Sequence, residues 1–138
     1  MLLSIPWLVL PVLAYFGFTI FAADVGQTLT YPIIEKTTLI SGGEWTFTVS
    51  DALLIFTLII LFVEILKATR VSSLSLVDHS LSTLLFIVNL ILFVTYAPAG
   101  SSTFFMITFM TLIDVVAGFS ITLRAARRDV GFGGHPPH

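Results

Sequence analysis

The sequence predicts an all-α membrane protein: one domain over residues 1–138, built as a four-transmembrane-helix bundle with a short extramembrane β-hairpin between helices 1 and 2. Three observations predict it. Hydrophobic residues make up 57% of the chain and charged residues 10%, whereas a soluble domain carries about 25% charged residues. The apolar residues fall into four long runs, each close to what a tilted spanning helix needs. Five of the six cations follow the second or the fourth run, so one topology satisfies both clusters.

The first run is Ile5 to Ala23, ended by Asp24, and predicts a helix over about 5–23. Its last residues, Phe21-Ala22-Ala23, faintly resemble a signal-peptide cleavage site. Met1 to Ile5 lacks Lys and Arg, however, so the run reads as a retained helix. Pro11 inside it predicts a kink. The second run, Ala52 to Leu66, is entered through Ser50-Asp51, with Ser50 a plausible N-cap. It is left through Lys67 and Arg70, giving a helix over about 51–69. The third, Leu81 to Ala97, is closed by Pro98-Ala99-Gly100. Ser75-Leu76-Val77-Asp78 before it reads as a capping box, so this helix spans about 76–97. The fourth, Phe104 to Leu123, is opened by Ser101-Ser102 and closed by Arg124. It predicts a helix over about 102–124 and a tail over 125–138, which Gly131-Phe132-Gly133-Gly134 makes flexible.

Lys67 and Arg70 on one side, and Arg124, Arg127 and Arg128 on the other, all end even-numbered helices. The positive-inside rule then puts both termini in the cytoplasm and residues 24–50 outside. The three arginines also suit contact with anionic headgroups.

Within the outer segment Trp45, Phe47 and Val49 alternate with Thr46, Thr48 and Ser50, a strand period. Thr37 to Ile40 precede them, and Gly42-Gly43 lies between, which predicts a hairpin over about 36–50. With a two-residue turn Ile40 pairs with Trp45, and Thr38 with Phe47. Ile40, Trp45, Phe47 and Val49 then form one apolar face. An isolated hairpin is marginal in water, so that face is expected on the membrane surface or on a partner.

Asp114 is the sharpest feature. It stands ten residues before Arg124, or ~15 Å along a helix, near the expected bilayer midplane. An acid there costs at least ~2.5–3.5 kcal/mol and must face protein or water. Thr111, Asp114, Gly118 and Thr122 share one helical stripe. Counting back through the turn at Gly100, Asn89 lies opposite Thr111. A Thr111–Asn89–Asp114 hydrogen-bond group that packs the hairpin is one expectation, with Gly118 allowing close approach. A proton or cation site is the other. Asp78, Ser82 and Asn89 share a face of the third helix, interrupted by Phe86.

Glu64 and Lys67 are spaced for an i,i+3 pair at the cytoplasmic interface, with Lys67 snorkelling. A contact with a partner or with the path to Asp114 is the alternative for Glu64. His79, beside Asp78, is expected to be a solvated interfacial residue; a pH-sensitive or metal-ligating role is the competing reading. His135 and His138 are too few for a metal site.

The chain has no cysteine, and no G-x-S-x-G, H-E-x-x-H, phosphate-loop or dinucleotide pattern. No catalysis, cofactor, metal or nucleic-acid partner is expected. The 13 phenylalanines read as packing and lipid-facing residues, although aromatic helices need no motif to touch a quinone or carotenoid. Trp45 to Val49, Glu64-Ile65-Leu66-Lys67-Ala68-Thr69-Arg70 and Ile113-Asp114-Val115-Val116-Ala117-Gly118-Phe119 give the chain from Trp45 onward the texture of a known group. It resembles small four-span proteins of the bacterial inner membrane, a likeness that implies a membrane address and no activity. The expected partners are the bilayer and either another membrane protein or copies of the same chain. The expected role is that of an accessory or assembly subunit or a self-associating structural protein. The alternative is a small oligomeric ion channel or proton-coupled transporter using the midplane carboxylate.

Overall fold

A computed structural model describes residues 5–70 and 75–133. The side chains of Ser75 and Ala125, and all those from Arg128 onward, lie outside that description. The protein is mostly helical. Helix α1 (Val9–Phe21) leads to a short α2 (Val25–Thr30) and a hairpin of β1 (Pro32–Thr38) and β2 (Glu44–Thr48). Then come α3 (Val49–Ala68), α4 (Ser75–Thr95), one 3-10 turn (Ala97–Ala99) and α5 (Ser102–Gly133).

Among the described residues three helical stretches are long and apolar enough to cross a membrane: Val49–Ala68, Leu76–Thr95 and Ser102–Arg124. At 13 residues, α1 is ~20 Å long, short of the ~30 Å of a hydrocarbon core. It starts four residues later than the apolar run because Pro6 and Pro11 punctuate its beginning. The amides of Val9 and Leu10 bond back to Pro6 O and Trp7 O as a tight entry turn. Pro11 then falls in the first turn, where its missing N–H breaks no helical bond. The kink expected at Pro11 therefore has no cause.

Beyond α1, Asp24 caps α2 by accepting from the Gln27 amide at 3.2 Å, a helix absent from the sequence expectation. The hairpin is real, but its register differs from the expected one. Thr38 pairs with Glu44, Thr37 with Trp45 and Ile34 with Phe47, so the loop is five residues, Leu39 to Gly43, rather than two. Gly42 takes φ 83°, the left-handed region that needs glycine. Leu39 N–H donates to Gly43 O, and Gly42 N–H to Leu39 O. Ile40 consequently sits at the tip, fully exposed, and Val49 has become the first residue of α3. Only Trp45 and Phe47 of the expected apolar face stand together, with ring centroids 5.9 Å apart.

The cap of α3 is Thr48 rather than Ser50. Thr48 and Asp51 close a capping box, with Thr48 N–H donating to Asp51 Oδ2 at 2.9 Å and Asp51 N–H to Thr48 Oγ1 at 3.3 Å. Ser50 instead bonds Thr103 across to α5, 2.6 Å between hydroxyls. Ser101 caps α5, accepting from Phe104 N–H at 3.1 Å. The last helix runs to Gly133 and does not stop at Arg124. Ala125, Ala126 and the arginines are strong helix formers, and no proline intervenes before Pro136. Residues 125–133 of the expected flexible tail are helical; its remainder, with His135 and His138, lies outside the described residues.

Helix α5 is the common partner, packed along both α3 and α4. One apolar cluster, nearer the hairpin, joins Val12, Tyr15, Leu29, Leu53, Ala99, Phe104 and Ile107. A second joins Leu8, Ile60 and Leu61. Tyr15 ties α1 to the α4–α5 turn. Its hydroxyl donates to Pro98 O at 2.6 Å and lies 2.7 Å from Ser101 Oγ. Outward, the helices present Ile55, Ile59, Phe62, Leu84, Val88, Ile91, Phe105 and Phe109. Inward they hide Thr57, Glu64, His79, Ser82, Asn89, Thr111 and Asp114. That inversion of a soluble protein's pattern fits lipid as the solvent.

Candidate functional site

The polar interior gathers at the end of the bundle away from the hairpin. Asp114 is 6% exposed, on α5. Ser82 of α4 lies against its carboxyl, Glu64 and Asp78 are the nearby like charges, and Lys67 is the nearby cation. Among these carboxylates only Glu64 contacts Lys67 directly, and Asp114 lies within electrostatic reach of that pair and of Asp78. The spacing explains this: Ser82 is one turn from His79 on α4, and Asp114 is one turn from Gly118 on α5, so the two stripes meet along one seam.

Glu64 is 3% exposed. Its Oε1 accepts from Lys67 Nζ at 3.0 Å and from the Trp7 backbone N–H at 2.8 Å. Lys67 also donates to Ile5 O at 3.3 Å and sits over the Trp7 ring, 5.5 Å from its centroid. The expected i,i+3 pair is formed, but its work is to hold the chain segment entering α1. Orphan amides at a helix entry need such acceptors. The sequence gives no signal for Trp7, because the contact is made by backbone.

His79 departs from its expectation. It is 5% exposed, not solvated. Its ring fills the notch over Gly118, where a Cβ would stand 2.6 Å from Nδ1. Its Nε2 is 2.6 Å from Thr122 Oγ1, and Phe119 packs beside it. Gly118 does permit close approach, but of an imidazole rather than of two backbones. The i,i+4 pair Gly118–Thr122 on the Asp114 stripe was the available signal: a small residue beside a hydroxyl, shaped for a ring.

The expected Thr111–Asn89–Asp114 group is not formed. Thr111 donates to Thr108 O at 2.6 Å, a bond within its own helix that a threonine makes readily. Both polar atoms of Asn89 are buried without a partner among the described residues, as is Asp78 Oδ1. Asn89 lies two turns from Ser82 along α4, too far to reach Asp114.

Of the other predicted residues, Arg70, Arg124 and Arg127 are exposed. The last two, with Ser120 and Leu123, border a surface pocket on α5. The Arg128 side chain lies outside the described residues. Ile40 and Trp45 are exposed, and Phe47 and Val49 are half-buried; all four are remote from the buried cluster. Among the described residues no group of three His, Asp or Glu side chains is placed to hold a metal. Asp114 thus sits in surroundings where an isolated charge is costly, with a hydroxyl against it and a formed ion pair nearby.

No protein-family profile matches the chain, and comparison with curated proteins and with solved structures finds no significant match.

Proposed function

We propose that the chain is a non-catalytic integral membrane protein, an accessory or assembly subunit that works beside another membrane protein or copies of itself. The observation that carries the reading is the hairpin. It is an isolated two-stranded sheet with every residue of β1 exposed. Ile33, Ile34, Leu39, Ile40 and Trp45 all stand uncovered. A two-stranded ribbon with bare apolar side chains gains most from a surface that covers it.

In this proposal the bundle is four-spanning and sits in an inner membrane. The segment entering α1 completes the fourth crossing. Its anchoring at both ends supports this, through Trp7 to Glu64 and through Tyr15 to Pro98. Both termini then face the cytoplasm, because Lys67, Arg70, Arg124 and Arg127 end the parallel helices α3 and α5 on one side.

Native mass spectrometry of the protein drawn gently from its membrane tests the reading. A stoichiometric complex with a second membrane chain is expected, and Trp45→Ala is expected to weaken it. A lone monomer would overturn the proposal.

Asp114, a carboxylate 6% exposed within a helix apolar enough to span a membrane, favours a second reading, a small oligomeric channel or proton-coupled transporter. A discrete homo-oligomer with no other chain would fit both readings, and proton flux would then decide between them. Asp114→Asn should then abolish proton flux in proteoliposomes while leaving the fold intact. Unchanged flux, or no flux in the parent protein, would remove this reading.

A further inference from the structure

We infer that the bundle holds internal water at Asn89, in a polar tier separate from the Asp114 cluster. Asn89 is fully buried, and neither its carbonyl oxygen nor its amide nitrogen has a partner among the described residues. A primary amide offers two donors and an acceptor with two lone pairs, and leaving them dry in a membrane interior is among the costlier arrangements a side chain can adopt.

Counting along the helices shows what surrounds it. Ser50 and Thr103 are bonded across α3 and α5. Two turns further along these parallel helices come Thr57 and Met110. Ser82 of α4 lies against Asp114 of α5. Two turns from that pair, in opposite directions along antiparallel helices, come Asn89 and Ile107. Thr57, Thr108 and Thr111 therefore lie within about one helical turn of Asn89 along the bundle, and all four are buried. Each threonine has committed its proton to its own helix, Thr57 to Leu53 O, Thr108 to Phe104 O and Thr111 to Thr108 O. Their oxygens remain as acceptors only.

The occupant must accept from the amide N–H groups and donate to the amide and threonine oxygens. A bare cation leaves the N–H groups unmet; an anion leaves the oxygens unmet. A polar side chain from a neighbouring protein cannot reach an amide with no exposed surface. Water meets both demands, with the two to four polar partners a buried water takes. Leu85, between Ser82 and Asn89 on α4, packs against both apolar clusters and stands between Asn89 and the Ser82–Asp114 contact. The inference stands under either functional reading.

Asn89 is the one asparagine in the chain, so asparagine labelled with 15N on the side chain gives a single amide signal. In liposome-reconstituted protein, water-edited solid-state NMR should show magnetisation passing from water to that NH2 group. Transfer should come at mixing times for which, in a second sample labelled with 15N on the leucine and isoleucine backbones, the α4 amides of Leu90 and Ile91 stay dark. Equal darkness at Asn89 would overturn the inference. So would an amide proton shifted by hydrogen bonding yet receiving nothing from water, since a protein group would then be its partner.

Discussion

The hairpin and the helical bundle both show apolar side chains on their surfaces, yet only the bundle has a compensating interior. In α3, α4 and α5, exposed Leu, Ile and Phe go with buried Thr, Asn, His, Asp and Glu, which is coherent if lipid covers the outside. In the hairpin, exposed Ile33, Ile34 and Trp45 stand beside exposed Glu35, Lys36 and Glu44, and Lys36 pairs with Glu44 at 2.6 Å in the open. Hydrocarbon would not suit those charges and water would not suit those apolar groups. The difference fits a chain built for two environments: the three helices are long and apolar enough to cross a membrane, and the hairpin suits a boundary where polar and apolar surfaces meet.

Substitutions inside the bundle should therefore act on stability, and those in the hairpin on association. The largest effect is expected at Glu64. Glu64→Ala leaves the part-buried Lys67 without its partner and releases the Trp7 amide, and should cost about 3 kcal/mol, the low end for breaking a buried pair. Thermal unfolding in detergent would show the loss, and near-parent stability would mean the pair is solvated. Gly118→Ala comes next. The added methyl must displace the His79 ring, an overpacking cost of about 1–3 kcal/mol. A His79→Ala background should erase most of that cost in a double-mutant cycle, whereas additivity would mean the two residues do not touch.

These two sites also show how far the sequence could be read. The three long helices were legible because an apolar run bounded by charge needs no tertiary knowledge. The expected pairing of Glu64 with Lys67 was legible for the same local reason. His79 against Gly118 was not, because residues 39 apart meet only once the α4–α5 turn fixes their register. Asn89 was misjudged for a subtler cause: Thr111 satisfied itself within its own helix, so opposition across the hairpin created no bond. The hairpin register failed on one assumption, that Gly-Gly marks a two-residue turn. A left-handed Gly42 serves a five-residue loop as well and shifts the pairing.

Smaller effects should follow at the remaining sites. Tyr15→Phe removes the hydroxyl from Pro98 O and Ser101, and should lower stability by about 1 kcal/mol. A larger loss would mean that α1 docks through this bond more than through its apolar face. Trp45→Ala should leave the unfolding temperature unchanged within error, because its neighbours are hairpin residues rather than the bundle. If it destabilised the protein as much as Gly118→Ala, the contrast between the two regions would be wrong.

The absence of cysteine makes spin labelling the most direct test of the inverted surface. Single cysteines placed at Leu84, Val88 and Ile91 on α4, and at Ile40 on the hairpin tip, would carry nitroxides in liposomes. The three α4 sites should relax strongly with oxygen and weakly with a water-soluble nickel complex, while Ile40 should show the reverse. Nickel access at the α4 sites equal to that at Ile40 would show that water covers the face assigned here to lipid.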